Sequence, residues 1–204
     1  MNGPVGMMPA ESSRAEAQRE RILCAAQHCF IERGFHAASM AHIAETAGMS
    51  AGLMYRYFEN KSAIVLAIME RQLAEAHEAL ARLGPTSGLA LDLSALFRGW
   101  QARDPSVMSA ALYLEMSAEG TRDPQVAAAI LRADTELAEE LRGWMARPRD
   151  RGGLGLSAAQ AASRVLMLQL FIRGLAVVAV RNPGLDPALV DRTIEDFVRG
   201  LQAT

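Results

Sequence analysis

The polar side chains best placed to act together lie in one short stretch, GMSAGLMYRYFENK, residues 48–61. It carries the hydroxyls of Ser50, Tyr55 and Tyr57, the guanidinium of Arg56 and the ammonium of Lys61, the single lysine among 21 Lys+Arg. Such a set donates hydrogen bonds and balances negative charge, the chemistry of holding an anion rather than of breaking a bond. Bond-breaking machinery is not spelled elsewhere. GxSxG, HExxH, a Walker loop and CxxC are expected to be absent, and His28, His36, His42 and His77 lack a convincing base or ligand partner at helical spacing. Glu115, Glu119, Glu139 and Glu140 read as helix-surface charges. Cys24 and Cys29 suit neither a disulfide framework nor a four-ligand metal site and read as reduced, buried thiols. No enzyme activity, metal or cofactor is expected.

The chain has 204 residues, half of them hydrophobic, enough to bury a core. Its formal charge is −2, so any charge-driven partner must be read from local clusters. Residues 1–62 give no basic total: six cations (Arg14, Arg19, Arg21, Arg33, Arg56, Lys61) face six glutamates. The opening MNGPVGMMPAESS lacks the basic-then-apolar pattern of a signal peptide. The most apolar run, Val165 to Val180, is interrupted by Gln169 and Arg173 and reads as too short to span a bilayer. A cytoplasmic protein with no membrane partner is expected.

The elements that would position the 48–61 stretch are helices. Apolar residues recur three and four apart, and strand alternation is missing. Asp104-Pro105, Asp123-Pro124 and Asp186-Pro187 pair a capping aspartate with a proline suited to the first helical position, and Ser157–Gln160 has capping-box spacing. The pattern predicts an all-α fold of nine helices near 13–33, 40–47, 51–57, 60–82, 89–103, 105–118, 124–147, 158–181 and 187–202, after a disordered arm at 1–12 and with a mobile loop at 148–156.

The first three helices predict a compact unit. Ile22, Ala26 and Phe30 make a stripe to meet Ile43, Ala44, Ala47, Met49, Met54 and Phe58. Ala44 is small enough for a close crossing, Gly48 permits a tight turn, and Ser39 and Ser50 stand where they can cap the two short helices. This is a helix-turn-helix pattern, its second helix (51–57) presented for a DNA major groove. Short helices joined through Ala-Gly also occur in helical adaptors that bind no DNA. In the groove, Ala51 and Leu53 could meet only thymine methyl groups, and Gly52 would let the backbone approach. Arg56 could take guanine bidentately, clamp a phosphate or stand solvated.

The string from Ser39 through Ile43-Ala44, Ala47-Gly48-Met49-Ser50, Gly52, Met54-Tyr55 and Tyr57-Phe58 to Lys61, with Gly34-Phe35 ahead of it, resembles the DNA-binding domain of the tetracycline-repressor (TetR) family. Met49 and Met54 replace the commoner valine and leucine, and Tyr57 stands where histidine is frequent. The resemblance implies a helix-turn-helix domain at 13–60 and a ligand-binding and dimerisation domain at 61–204. It implies that Lys61 holds a DNA phosphate at the start of the fourth helix, with Ser39, Tyr55 and Tyr57 as further phosphate contacts and Ser50, Ala51, Gly52, Leu53 and Arg56 in or beside the groove. A solvated Lys61 and a core Tyr55 are the plainer readings.

It further implies a homodimer on an inverted-repeat operator. The interface would be formed by Val165, Leu168, Ile172, Leu175, Ala176 and Ala179 of one helix and Val190, Ile194, Phe197, Val198 and Leu201 of the next, stripes that a monomeric core could equally bury. A repressor released by an apolar or amphipathic small molecule follows by the same resemblance. Phe97, Trp100, Met108, Tyr113, Met116, Trp144, Met167 and Phe171 are the candidates to line its pocket, or to pack an ordinary core. The alternatives to a regulator are a helical adaptor and, last, an all-α enzyme.

Overall fold

The computed structural model describes residues 9–81, 87–104, 107 and 109–202. Among these it is all-α: α1 (Pro9–Ala37), α2 (Met40–Thr46), α3 (Ala51–Tyr55), α4 (Lys61–Ala81), α5 (Ser87–Ala102), α6 (Ala110–Glu119), α7 (Pro124–Ala146), α8 (Ala158–Arg181) and α9 (Pro187–Gln202), with a 3-10 turn at Arg149–Arg151. Two compact units are present, Met1–Ile68 and Met69–Thr204, divided within α4 rather than at its first residue.

In the first unit α1 packs on α2 and α2 on α3. The expected core forms: Ile22, Ala26, Phe30, Ile43, Ala44, Ala47, Met54 and Phe58 are buried, joined by Ile64, Val65 and Ile68 from α4. Met49 is the exception, half-buried at the rim. α1 begins at Pro9, inside the stretch expected to be an arm, and residues 1–8 lie outside the described ones. Its regular helix breaks at Gly34 (φ 75°, ψ 159°), where the sequence places the terminator, and one more turn follows. Cys29 is buried with its sulfur 3.3 Å from Thr46 Oγ1, but Cys24, expected inside, is exposed beside Glu20.

The second unit is built on α8, which packs against α5, α6 and α7, while α5 also packs on α9. Asp123 caps α7 through Gln125 N (2.8 Å) and Val126 N (3.4 Å), Asp186 accepts from Ala188 N at 3.0 Å, and Ser157 and Gln160 complete the capping box of α8. Of the start read at Asp104-Pro105, Pro105 lies outside the described residues. The described helix α6 opens at Ala110, where Ser109 Oγ accepts from Leu112 N at 3.4 Å. The loop at 148–156, expected to be mobile, is tied down: Trp144 Nε1 donates to Gly152 O (3.1 Å), Arg149 Nε to Leu154 O (3.1 Å) and Leu156 N to Met145 O (3.1 Å), and Leu154 and Leu156 are buried. Turn residues marked the loop, but the alternate leucines that anchor it gave no helical period to read.

α8 has 24 residues and by length and composition alone could cross a membrane, so the expectation that its apolar run is too short fails. Its two polar interruptions reach α7: Gln169 Nε2 donates to Asp134 O at 3.2 Å and Arg173 Nη2 to Asp134 Oδ2 at 2.6 Å. Partial burial pulls the Arg173 pKa down, and Asp134 and Tyr113 more than offset it, leaving the group raised and firmly cationic.

Candidate nucleic-acid interface

The turn between α2 and α3 fixes how α3 is presented. Ala47 closes α2, and Gly48 turns the chain in the left-handed region (φ 63°), which costs a side-chain-bearing residue about 1–2 kcal/mol. Arg21 of α1 reaches across so that its Nη2 donates to Gly48 O at 3.1 Å. A Cβ on Gly48 would stand 2.8 Å from that nitrogen, so the glycine also makes room for the arginine. Ser39 Oγ accepts from His42 N and Ser50 Oγ from Leu53 N, both at 3.2 Å, capping α2 and α3 as expected. A capping hydroxyl uses its oxygen, so its own proton remains available to a phosphate.

With Met54 fully buried as the anchor, Ala51, Gly52, Tyr55 and Arg56 are exposed on the outer side of α3, and Leu53 and Tyr57 are half-buried. Tyr55, at 55% exposed, is therefore no core aromatic. The helix is shorter than expected, ending at Tyr55, with Arg56 and Tyr57 in the turn that follows. Against the expectation that GxSxG is absent, GMSAG, residues 48–52, has that spacing of a hydrolase nucleophile elbow. That elbow needs a strand-to-helix turn. Ser50 instead joins two helices, and its oxygen is a helix cap.

Lys61, expected at a DNA phosphate, has internal partners in the DNA-free chain. Its half-buried ammonium donates to Phe35 O (2.7 Å) and His36 O (3.2 Å) and lies 4.5 Å from the centre of the Phe35 ring. Those carbonyls belong to the last turn of α1, beyond the Gly34 break, where backbone acceptors lack helical partners. A cation at the first position of α4 opposes that helix's dipole, and Asn60 Oδ1 supplies the cap for Ala63 N. Lys61 stands at the start of one helix and serves the end of another, a pairing that spacing could not reveal.

Between α1 and α3 lies an open cleft of about 480 Å³, with Arg14, Gln18 and Arg21 on one wall and Gly48, Leu53 and Tyr57 on the other. Sequence reasoning missed it because Arg14 and Tyr57 are 43 positions apart.

The candidate sites of the second unit fare differently. Val165, Leu168, Leu175, Ala176, Ala179, Val190, Ile194, Val198 and Leu201, expected to meet a partner subunit, are buried in the chain's own core, and Ile172 and Phe197 pack against it. The apolar face of α8 left open carries Leu166 (54% exposed), Met167, Leu170 (59%) and Val178. Of the candidate pocket residues, Phe97, Trp100, Met116 and Trp144 are buried, Phe171 stacks on Phe197 with ring centres 3.8 Å apart, and Tyr113 is half-buried. Met167 is on the exterior, and Met108 lies outside the described residues.

The expectation that the histidines lack partners at helical spacing fails at His28, whose partner is four residues on, and His77 finds one from a distant helix. His77 Nδ1 and Glu140 Oε1 are 2.5 Å apart, His28 pairs with Glu32 at 3.4 Å, and Glu119, read as a surface charge, is buried with Arg122 Nη2 at 3.4 Å.

A three-helix unit with its second short helix capped, anchored by one methionine and presented outward is a helix-turn-helix DNA-binding module, here joined to a larger all-α unit. Residues 22–68 match the family described as bacterial regulatory proteins, tetR family. The chain is 32% identical over 198 residues to the HTH-type transcriptional regulator UidR of Escherichia coli (strain K12), across 97% of this chain and 95% of that one. It is 27% identical over 147 residues to the HTH-type transcriptional repressor AcnR of Corynebacterium efficiens, across 72% and 73% of the two chains. The structure of Salmonella enterica GusR superimposes with a TM-score of 0.74 at 26% identity, covering 91% of this chain and 95% of that one. The chain belongs to the tetR family. It is a DNA-binding transcriptional regulator, not an enzyme, of a family whose members bind DNA operators and are typically dimers.

Proposed function

We propose that this regulator is a cytoplasmic homodimeric repressor that binds an inverted-repeat operator and leaves it when a small molecule occupies the second unit. The observation that carries the DNA half is the outward face of α3: Ala51, Gly52, Tyr55 and Arg56 are exposed around a buried Met54. Ala51 and Leu53 meet thymine methyl groups, Arg56 takes a guanine or a phosphate, and Ser39, Tyr55 and Tyr57 hold backbone oxygens. Two such helices enter successive major grooves about 34–36 Å apart.

The dimer forms through the open α8 face, Leu166, Met167, Leu170 and Val178, rather than through the buried stripes. Gly174 on the same helix, with nothing within 4 Å of a Cβ built there, allows close approach. Repression is supported by AcnR, named a repressor. The effector is amphipathic. The second unit offers a large apolar interior, and Asp134, Gln169, Arg173 and Tyr113 form a polar group on α6, α7 and α8. α4 runs from one compact unit into the other, so a ligand favouring one arrangement of the second unit is coupled to DNA affinity by about 1–3 kcal/mol.

The test is a gel shift with the DNA flanking the protein's own gene, repeated with one half-site scrambled. Tight binding that needs both half-sites supports the reading, and equal binding to random duplex sinks it. Compounds found by thermal shift are then titrated into the complex. Hits that stabilise the protein yet leave operator affinity unchanged remove the effector claim.

A further inference from the structure

We propose that the cleft between α1 and α3 seats a phosphodiester of the DNA backbone on Arg14, extending the contact surface from the recognition helix onto α1. The inference rests on the DNA-binding reading and begins from where the cations of the first unit point. Lys61 donates to the Phe35 and His36 carbonyls, Arg21 donates to the Gly48 carbonyl, Arg19 lies 4.6 Å from the centre of the Phe58 ring, and Arg33 Nη1 is 3.5 Å from His42 Nε2. Four of the six positive groups therefore have internal partners. Among the described residues, Arg14 and Arg56 have none, and both are exposed.

Arg56 adjoins the recognition helix. Arg14 lines the cleft, which contains a second guanidinium, the Gln18 amide and Tyr57, and no carboxylate. The balanced total of six cations and six glutamates thus hides a local excess of positive charge beside the element that enters the groove.

The ligand class follows from shape and chemistry. A guanidinium takes a phosphate through two parallel N–H donors, and an amide or phenol beside it can supply further donors. Leu53 and Tyr57 form the wall opposite Arg14, so placing α3 in the major groove brings the mouth of the cleft to the flanking backbone rather than to a base edge. The contact fixes docking and carries no sequence information. Arg21 makes the cleft by pinning the turn, and Arg14 fills its electrostatic role.

The experiment uses the full chain with Arg14→Gln and Gln18→Glu variants, and measures binding to operator and to random duplex by fluorescence anisotropy across a salt series. Arg14→Gln is expected to weaken both duplexes alike. It should make the salt dependence shallower by about 0.9 per protomer, about 1.8 for a dimer, so the advantage of the parent over the variant shrinks about twelvefold between roughly 50 and roughly 200 mM salt. Gln18→Glu, which places a carboxylate in the cleft, is expected to weaken both duplexes while the thermal midpoint stays that of the parent. If Arg14→Gln keeps the parental salt slope, the proposal is overturned. A parent that binds no duplex at all would instead overturn the DNA-binding reading, so the two failures are distinct.

Discussion

Replacing Lys61 by methionine separates an internal clasp from a phosphate contact. Methionine keeps the length and packing of the stem and removes only the ammonium. Two charge-assisted hydrogen bonds, 2.7 and 3.2 Å, and the contact with the Phe35 ring are lost. Hydrogen bonds to charged groups contribute about 1.5–3 kcal/mol each, and an exposed cation–ring contact about 0.5–1 kcal/mol. The second bond is long and solvent-facing and the ammonium is only half-buried, so about 2–3 kcal/mol in all is the reasonable expectation. For a unit of this size each kcal/mol moves the midpoint by about 4–8 °C, giving a fall of roughly 8–24 °C in the melting of the first unit. Far-UV circular dichroism follows the melt, and anisotropy against operator at several salt concentrations follows binding. The clasp predicts a lower midpoint and an unchanged salt slope at a temperature where the variant is folded. A midpoint equal to the parent's, together with a slope shallower by about 0.9 per protomer, would refute the reasoning and restore Lys61 to the phosphate.

Gly48→Ala should cost about 2–3 kcal/mol, from the left-handed backbone and the displaced Arg21 hydrogen bond, and should weaken binding to every duplex; urea denaturation and anisotropy measure the two effects. Leu170→Arg, on the open face of α8, should leave the monomer folded but shift sedimentation toward the monomer at micromolar concentration, whereas a charge at buried Leu168 should unfold the second unit. Asp123→Ala removes the α7 cap and should destabilise the second unit by about 1 kcal/mol, seen as a lower urea midpoint with DNA contacts untouched.

The helices and the exposed face of α3 were legible in the sequence because local rules decide them. Asp123, Ser157 and Asp186 mark starts that the caps reproduce, and Gly34 and Gly48 mark breaks that their positive φ angles explain. What depended on distant pairing was not legible. The stripes of α8 and α9 were recognisable as apolar, but periodicity does not say which apolar face meets the chain's own core. Lys61 was singled out correctly as unusual, yet its partners, Phe35 O and His36 O, are backbone atoms about 25 residues away, which no side-chain pattern encodes.

The hydrogen bond that fastens the Trp144 ring to Gly152 also has an optical consequence. Trp100 and Trp144 are the two tryptophans of the chain, both buried in the second unit, and the first unit contains none. Tryptophan emission, excited at a wavelength where Tyr55 and Tyr57 do not absorb, therefore watches the second unit alone. Melting of the helix-turn-helix unit leaves no direct mark on it, and emission and far-UV ellipticity trace separate transitions wherever the two units unfold apart. Adding operator DNA introduces no tryptophan and touches a unit that has none. Any change in emission on binding would then be a signal that has travelled, giving an unlabelled readout of communication along the chain.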